Sequence, residues 1–483
     1  MTPRLGAGYY APMFEPSVYA ARRAALREGL ARRGVHAGLV IFLGSRESPK
    51  NFLDDTHPFR QDSSFLYFVG TPSPALAATL DLASGAEAFY ADESTMDDIV
   101  WTGPTPSAAE LAGRAGIGRA LPRKALAPAA AAARGSGAPI LYFPPYRADA
   151  MVELAELAAL PYAAVEAGAS IPLVRAAVEL REIKSPGEVA ELEAAVSASV
   201  AMHRGALAFA RAGMREYEIV ARVTEIALAA GGRPAFGPIA TTKGATLHIH
   251  DYSRKLEEGG LFLLDAGAES PGGYAGDLTT TFPIGRRYEG RQREIYDLVL
   301  AMHKAATSLL KPGLPFVQAH AAAERTAFEG LKALGLMRGD AEEAVEAGAT
   351  ALFFPHGLGH QIGLDGHDME NYGEVWVGYD GEPKSARFGR KSLRLAKPLK
   401  AGMVHTVEPG LYFIPQLIEA WRAEGRFAEF VDYGRLGPYL AVGGIRNEED
   451  WLVTESGARR LGPAYEKDAP SIEALRAAAL GAR

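Results

Sequence analysis

Residues 261–282 read L-F-L-L-D-A-G-A-E-S-P-G-G-Y-A-G-D-L-T-T-T-F. The apolar run L-F-L-L is a buried strand, and it ends on Asp265. S-P-G-G-Y is turn material, and Asp277 stands twelve residues after Asp265. Two strands joined by that turn form a hairpin that brings both carboxylates together. A carboxylate at the end of a buried strand is costly unless it is paired or metal-bound. Read alone, either aspartate is equally a turn or cap residue, so the choice rests on what lies downstream.

Downstream lie three more potential ligands. His360 is in P-H-G-L-G-H, Glu408 in H-T-V-E-P-G-L-Y and Glu448 in G-G-I-R-N-E-E-D. His356 and His360 have the spacing of a zinc helix, but Gly357 and Gly359 disfavour a helix and no Glu follows His356 as a base. We read a strand or loop there, with only one of the two needed as a ligand and His367 as a third imidazole nearby. Pro409-Gly410 places Glu408 at a strand end. Arg446 and Glu448, two apart, would share one face of a strand. Alone, I-R-N-E-E-D reads as a solvated acidic strand end. Four carboxylates and one imidazole carry too much charge for one metal and offer too few ligands for two separate ones. Two divalent cations sharing bridging carboxylates balance them, and such a pair suits hydrolysis. An oxygen-rich set with one imidazole favours Mn²⁺ first, then Zn²⁺, Co²⁺ or Fe²⁺.

The rest of the chain sets limits. Its 483 residues suggest two domains or one large one with insertions. A net charge of −7 argues against nucleic acid as a partner. The absence of cysteine excludes disulfides, thiolate metal sites and a cysteine nucleophile, and suits the cytoplasm. No apolar run is long enough to span a membrane, and the opening M-T-P-R-L-G-A-G-Y-Y lacks a signal peptide's apolar core. An amphipathic helix capped by Ser17 is expected first, with Arg22 to Arg33 on its polar face and Gly34 at its end. Strands are expected at 38–44, 65–70 and 86–91, with helices between, which makes an α/β layer domain. The low-complexity stretch 128–137 reads as a short helix and loop. The boundary falls near Ile171–Arg181, giving domains 1–175 and 176–483. Ser185, Pro186 and Glu188 then open a long helix with a capping box. A second helix follows from about Glu216, and a helix pair is expected at 288–309 and 316–335. No internal repeat stands out.

These motifs, in this order, resemble the pita-bread metallopeptidases, within them the proline-specific branch of aminopeptidase P and prolidase. P-F-R-Q-D-S-S-F-L-Y-F-V-G (58–70) and D-D-I-V-W-T-G-P (97–104) resemble the N-terminal domain of that branch. D-A-G, G-D-L-T-T-T-F-P, H-G-L-G-H-Q-I-G-L-D-G-H-D, G-M-V-H-T-V-E-P-G-L-Y and G-I-R-N-E-E-D resemble its α+β catalytic domain. The resemblance implies an α/β N-terminal domain followed by the pita-bread fold. It implies two metals: Asp265 bidentate on one, Asp277 and Glu448 bridging, and His360 and Glu408 completing the second. A hydroxide between the metals would be the nucleophile, with Glu408 handling its proton. His248 and His356 would face the substrate, and His367 would steady the tetrahedral intermediate. Arg446 matches an arginine behind the ligands, Tyr412 a site tyrosine, and Arg394, in S-L-R-L-A-K, the arginine that takes a dipeptide's carboxylate in prolidases. The implied substrates are peptides with proline second, and the implied assembly is a homodimer or homotetramer. Three departures stand out. The Asp265–Asp277 gap is one residue longer than expected. Asn447 replaces an apolar residue. Segments 371–391 and 414–440 look long. The nearest competing reading is a dipeptidase specific for Xaa-Pro. A metal-free creatinase-like hydrolase and a non-catalytic peptide-binding protein are the remoter ones, and both would lack ligands present here.

Overall fold

The computed structural model describes residues 13–481, so the first ten residues discussed above lie outside it. The chain forms two compact units. One contains the residues up to Arg181 together with Asn371–Gly373, and the other contains Glu182–Glu370 and Glu374 onward.

The first unit is an α/β layer. Its five strands run in the order Ala120–Leu121, Glu87–Tyr90, Ala77–Asp81, Leu39–Leu43, Ile140–Leu141. The three central strands pair antiparallel and each edge strand pairs parallel. The low-complexity stretch is helical, over Leu126–Gly135. Three local expectations fail here. The run F-L-Y-F-V-G is not a strand: Ser63–Phe68 is helical, because the Asp62 carboxylate caps it by accepting from the Phe65 amide at 2.8 Å. Phe65, Tyr67 and Phe68 are all buried, so burial on several sides, not strand alternation, explains the apolar run. The first helix, Pro16–Ala31, starts with Pro16 in its first turn, and Ser17 lies inside it rather than capping it. Nor do Arg22 and Arg23 belong to a polar face, for both are buried. Arg23 pairs with Glu87 through two 2.9 Å hydrogen bonds and donates to the carbonyls of Phe68 and Ala115 at 2.7 and 3.0 Å. Its fork of donors satisfies carbonyls left open at the C-terminal ends of two helices, Ser63–Phe68 and Ala108–Arg114.

In the second unit the same order of elements occurs twice. Helices Pro186–Phe209 and Glu216–Ala229 are followed by an antiparallel sheet of Ile239–Thr241, Leu261–Asp265 and Thr279–Pro283. Helices Gly290–Thr307 and Phe316–Ala333 are followed by an antiparallel sheet of Val404–Val407, Glu449–Val453 and Ala458–Arg460. The Ser185–Glu188 capping box forms as read, with Pro186 at the helix start. One continuous core, from Met202 through Phe262, Phe328 and Leu411 to Ile472, lies between the helices and the sheets. An isolated bridge between Thr279 and Glu448 ties the first sheet to the segment entering the second.

Candidate metal centre

The hairpin predicted at 261–283 is present. Asp265 ends one strand opposite Thr279, and Asp277 sits just before the returning strand. The Asp277 amide donates to the Asp450 carboxylate at 2.9 Å, which fixes where the Asp277 side chain begins. Thr279 and Thr281 share one face of their strand and seize the 446–448 segment. Thr281 Oγ1 accepts from the Arg446 amide at 3.1 Å and donates to its carbonyl at 3.0 Å. Thr279 Oγ1 accepts from Arg446 Nε at 3.1 Å and donates to Glu448 at 2.7 Å. Arg446 also donates to Asp265 at 2.5 Å. Arg446 and Glu448 do not lie on one strand as expected. The strand stops at Arg446, and Glu448 stands in the Thr279 bridge. Both still reach the same cluster, and both are buried rather than solvated. Glu408 follows the strand Val404–Val407, and His356 to His360 form a loop without helix.

His360 carries the decisive geometry. Its Nδ1 lies 3.1 Å from the Gln361 carbonyl, which can only accept, so the proton is on Nδ1. The Nε2 lone pair then faces Asp277 at 3.6 Å and Glu408 at 3.7 Å. Asp277, His360 and Glu448 offer ligand atoms within 4.8 Å of one another. Asp277 Oδ1 is buried without a hydrogen-bond donor. A lone pair and several carboxylate oxygens turned toward one point repel unless a cation sits between them. The donor set therefore fits divalent metal.

The charges agree with this geometry. Burial, reinforced by Glu448 and Asp265, pushes the Asp277 carboxyl well above its usual range. Burial with Glu408 and Asp265 does the same to Glu448. Burial raises Glu408 to about 7, against the opposing pull of Arg446. His360 is held well below its usual value by burial and by His367. His356 falls to about 3 through burial and the Arg446 cation, and so stays neutral. Its Nδ1 donates to the Gly357 carbonyl at 2.8 Å. Its Nε2 therefore accepts from the Tyr412 hydroxyl at 2.9 Å, which in turn accepts from Arg446 at 2.8 Å.

Residues 190–455 match the family model of metallopeptidase family M24, and residues 19–138 match the aminopeptidase P N-terminal domain. The chain belongs to metallopeptidase family M24. It is 31% identical over 429 residues to a probable Xaa-Pro aminopeptidase of Metarhizium acridum, a match covering 88% of this chain and 82% of the relative. The structure is similar to Pseudomonas aeruginosa aminopeptidase PepP, with 28% identity and a TM-score of 0.78, over 97% of this chain and 99% of that one. It is also similar to zinc-substituted Escherichia coli aminopeptidase P in complex with product, with 26% identity and a TM-score of 0.77, over 96% and 99% of the two chains. The fold is thus an α/β N-terminal domain with a pita-bread catalytic domain.

In this M24 chain the predicted residues gather in two layers. Asp265, Asp277, His360, Glu408, Glu448, Arg446, Tyr412 and His356 form the inner cluster. His367 stacks edge-on to His360 with ring centroids 4.2 Å apart, and its Nδ1 donates to Glu370 at 2.5 Å. His248 is exposed in the loop after Ile239–Thr241, within the electrostatic reach of Asp265, Arg446, Arg394 and His367. Arg394 is at the rim, 3.2 Å from Glu374 and 3.5 Å from Glu370. Sequence reasoning missed Thr279, Asp450, Glu370 and Lys467. Three fully buried threonines in a row, 279–281, were a usable signal, because buried hydroxyls need partners. Lys467, whose ammonium donates to the carbonyls of Thr279 and Glu448 at 2.8 and 2.9 Å, left no signal in the sequence.

Proposed function

We propose that this M24 peptidase removes the first residue from peptides that carry proline second. The observation that carries the reading is the joining, in one chain, of an aminopeptidase P N-terminal domain to the carboxylate and imidazole cluster around the bare His360 Nε2. Asp265, Asp277, His360, Glu408 and Glu448 are the residues we assign to two divalent ions, Mn²⁺ first by ligand type. Bound there, such ions supply an activated water at neutral pH and a Lewis acid for the scissile carbonyl.

The chain's own residues do the rest. We assign to Glu408, beside His360 and His356, the passing of a proton to the leaving proline nitrogen. The relay from Arg446 through Tyr412 to His356 keeps His356 neutral and fixed beside Glu408, whose carboxylate is 3.8 Å away. Glu370 accepts from His367 Nδ1 and so orients the ring, and with both ring nitrogens protonated the Nε2–H is the donor offered to an oxyanion. We assign His248 and Tyr412 to the substrate side of the site. A bond before proline has no N–H and a fixed ring, so ordinary peptidases handle it poorly and a dedicated site is needed. No described helix is long and apolar enough to cross a membrane. Assembly as a homodimer or homotetramer belongs to the same proposal.

A second reading, a dipeptidase, draws on Arg394 at the rim, a cation that suits a carboxylate close to the cut. The test is product identification from Xaa-Pro-Yaa, Xaa-Pro and Xaa-Ala-Yaa. The proposal expects free Xaa and Pro-Yaa from the first and little from the third. Equal cleavage of the alanine peptide, or release of any other fragment, would count against it.

A further inference from the structure

We propose that Glu374, with Glu370, neutralises Arg394 and thereby makes the site prefer substrates with a third residue over dipeptides. The inference rests on the aminopeptidase reading and names the residues that set its length preference.

The observations lie in the long segment after His367. Glu370 precedes it, Glu374 is in the first turn of the helix Glu374–Tyr379, Lys384 is in the loop beyond, and Arg394 follows. Arg394 Nε is 3.2 Å from Glu374 and 3.5 Å from Glu370, and Lys384 also pairs with Glu374. Two formal cations and two formal anions thus balance around the guanidinium, whose Nε is met by both glutamates at ion-pair range without a hydrogen bond. Exposed ion pairs are usually weak, but this one is built into the backbone. The Ala396 and Lys397 amides both donate to the Gly378 carbonyl, at 3.0 and 2.9 Å, and the Tyr379 hydroxyl donates to the Leu393 carbonyl at 2.7 Å. A Cβ on Gly378 would run into the Arg394 carbonyl. The helix that bears Glu374 is therefore seated against the Arg394 segment, and the pair keeps its geometry without substrate.

A dipeptide brings its carboxylate beside the proline, where it meets Glu370 and Glu374 as well as Arg394. A tripeptide brings a neutral amide to the same place, whose carbonyl can accept from the guanidinium without displacing either glutamate. Like-charge repulsion therefore falls on the dipeptide alone.

The test measures kcat/KM for Xaa-Pro and Xaa-Pro-Yaa in the metal-loaded enzyme and in Glu374→Gln. The expected result is an increase of about two- to fivefold for the dipeptide, through KM, with the tripeptide changed less. Arg394→Met in the Glu374→Gln background should remove the gain, and high salt should shrink the wild-type discrimination. Lys384→Met, which leaves Glu374 wholly to Arg394, should lower dipeptide turnover further, and it serves if Glu374→Gln fails to fold. An unchanged or lower dipeptide value in folded Glu374→Gln, or an unchanged one in Lys384→Met, would overturn the inference. A wild-type enzyme that cuts no Xaa-Pro-Yaa would instead overturn the aminopeptidase reading, so the two failures are distinct.

Discussion

At the scale of single residues, the cluster is held together by pairings that oppose one another until a cation arrives. Glu408, Asp277 and Glu448 all have raised carboxyl pKa values. A raised carboxyl binds more protons folded than unfolded, so its contribution to stability is present below the ordinary pKa and lost as pH climbs through the folded one. In chelated protein the Glu408 carboxyl should therefore cost stability as pH rises from about 4.5 to about 7, a cost that Glu408→Gln removes, while the buried neutral His356 and His360 act in the opposite sense in both proteins. Metal-loaded protein should instead gain stability over that range, because its ligands must be deprotonated to bind. Parallel melting curves of chelated wild type, chelated Glu408→Gln and metal-loaded wild type check this, and a Tm difference between chelated wild type and the variant that does not move with pH would contradict it. Substituting Glu408→Gln should lower kcat by about 10²–10⁴-fold in a folded protein. His356→Ala should cut kcat while leaving metal content unchanged, because both ring nitrogens of His356 are already committed to Gly357 and Tyr412. Metal analysis of that variant decides the point, and loss of metal would make His356 a ligand.

Between elements, two strands and a bridge position the acids. The Thr279 hydroxyl joins Arg446 to Glu448, and Thr279→Val removes that junction while leaving every proposed ligand in the sequence. A loss of about 10–100-fold in metal affinity is expected, measured by competition with a chelator. In the first unit, Arg23→Met should cost about 3–5 kcal/mol in denaturant unfolding of that unit, because it leaves Glu87 and two helix-end carbonyls unpaired. The elements that the sequence revealed were those with local signals. The Ser185–Glu188 box, the 261–283 hairpin and the long helices carry their own caps, turns and periods. Those that it hid depend on distant partners. Phe65 to Phe68 look strand-like because their burial comes from several sides at once, and Arg23 looks solvent-facing because Glu87 lies 64 residues away.

For the molecule as a whole, the same division holds. The five acids and imidazoles were readable because each stands beside a turn or strand end that fixes it within a few residues. Asp450 and Lys467 were not, since each acts on a backbone group that only folding brings near: Asp450 on the Asp277 amide, Lys467 on the Thr279 and Glu448 carbonyls. Domain order followed from composition and motif. The repetition of two helices and a sheet in the catalytic part did not, because its halves share no residue pattern that survives inspection of one sequence. The proposed function makes this M24 chain a two-ion peptidase for the bond before proline. Its most direct test is a titration of chelated protein with Mn²⁺ that follows bound metal per chain and Xaa-Pro-Yaa cleavage together. The account predicts no cleavage without metal and full activity at two ions per chain. Full activity with one ion or none would contradict it.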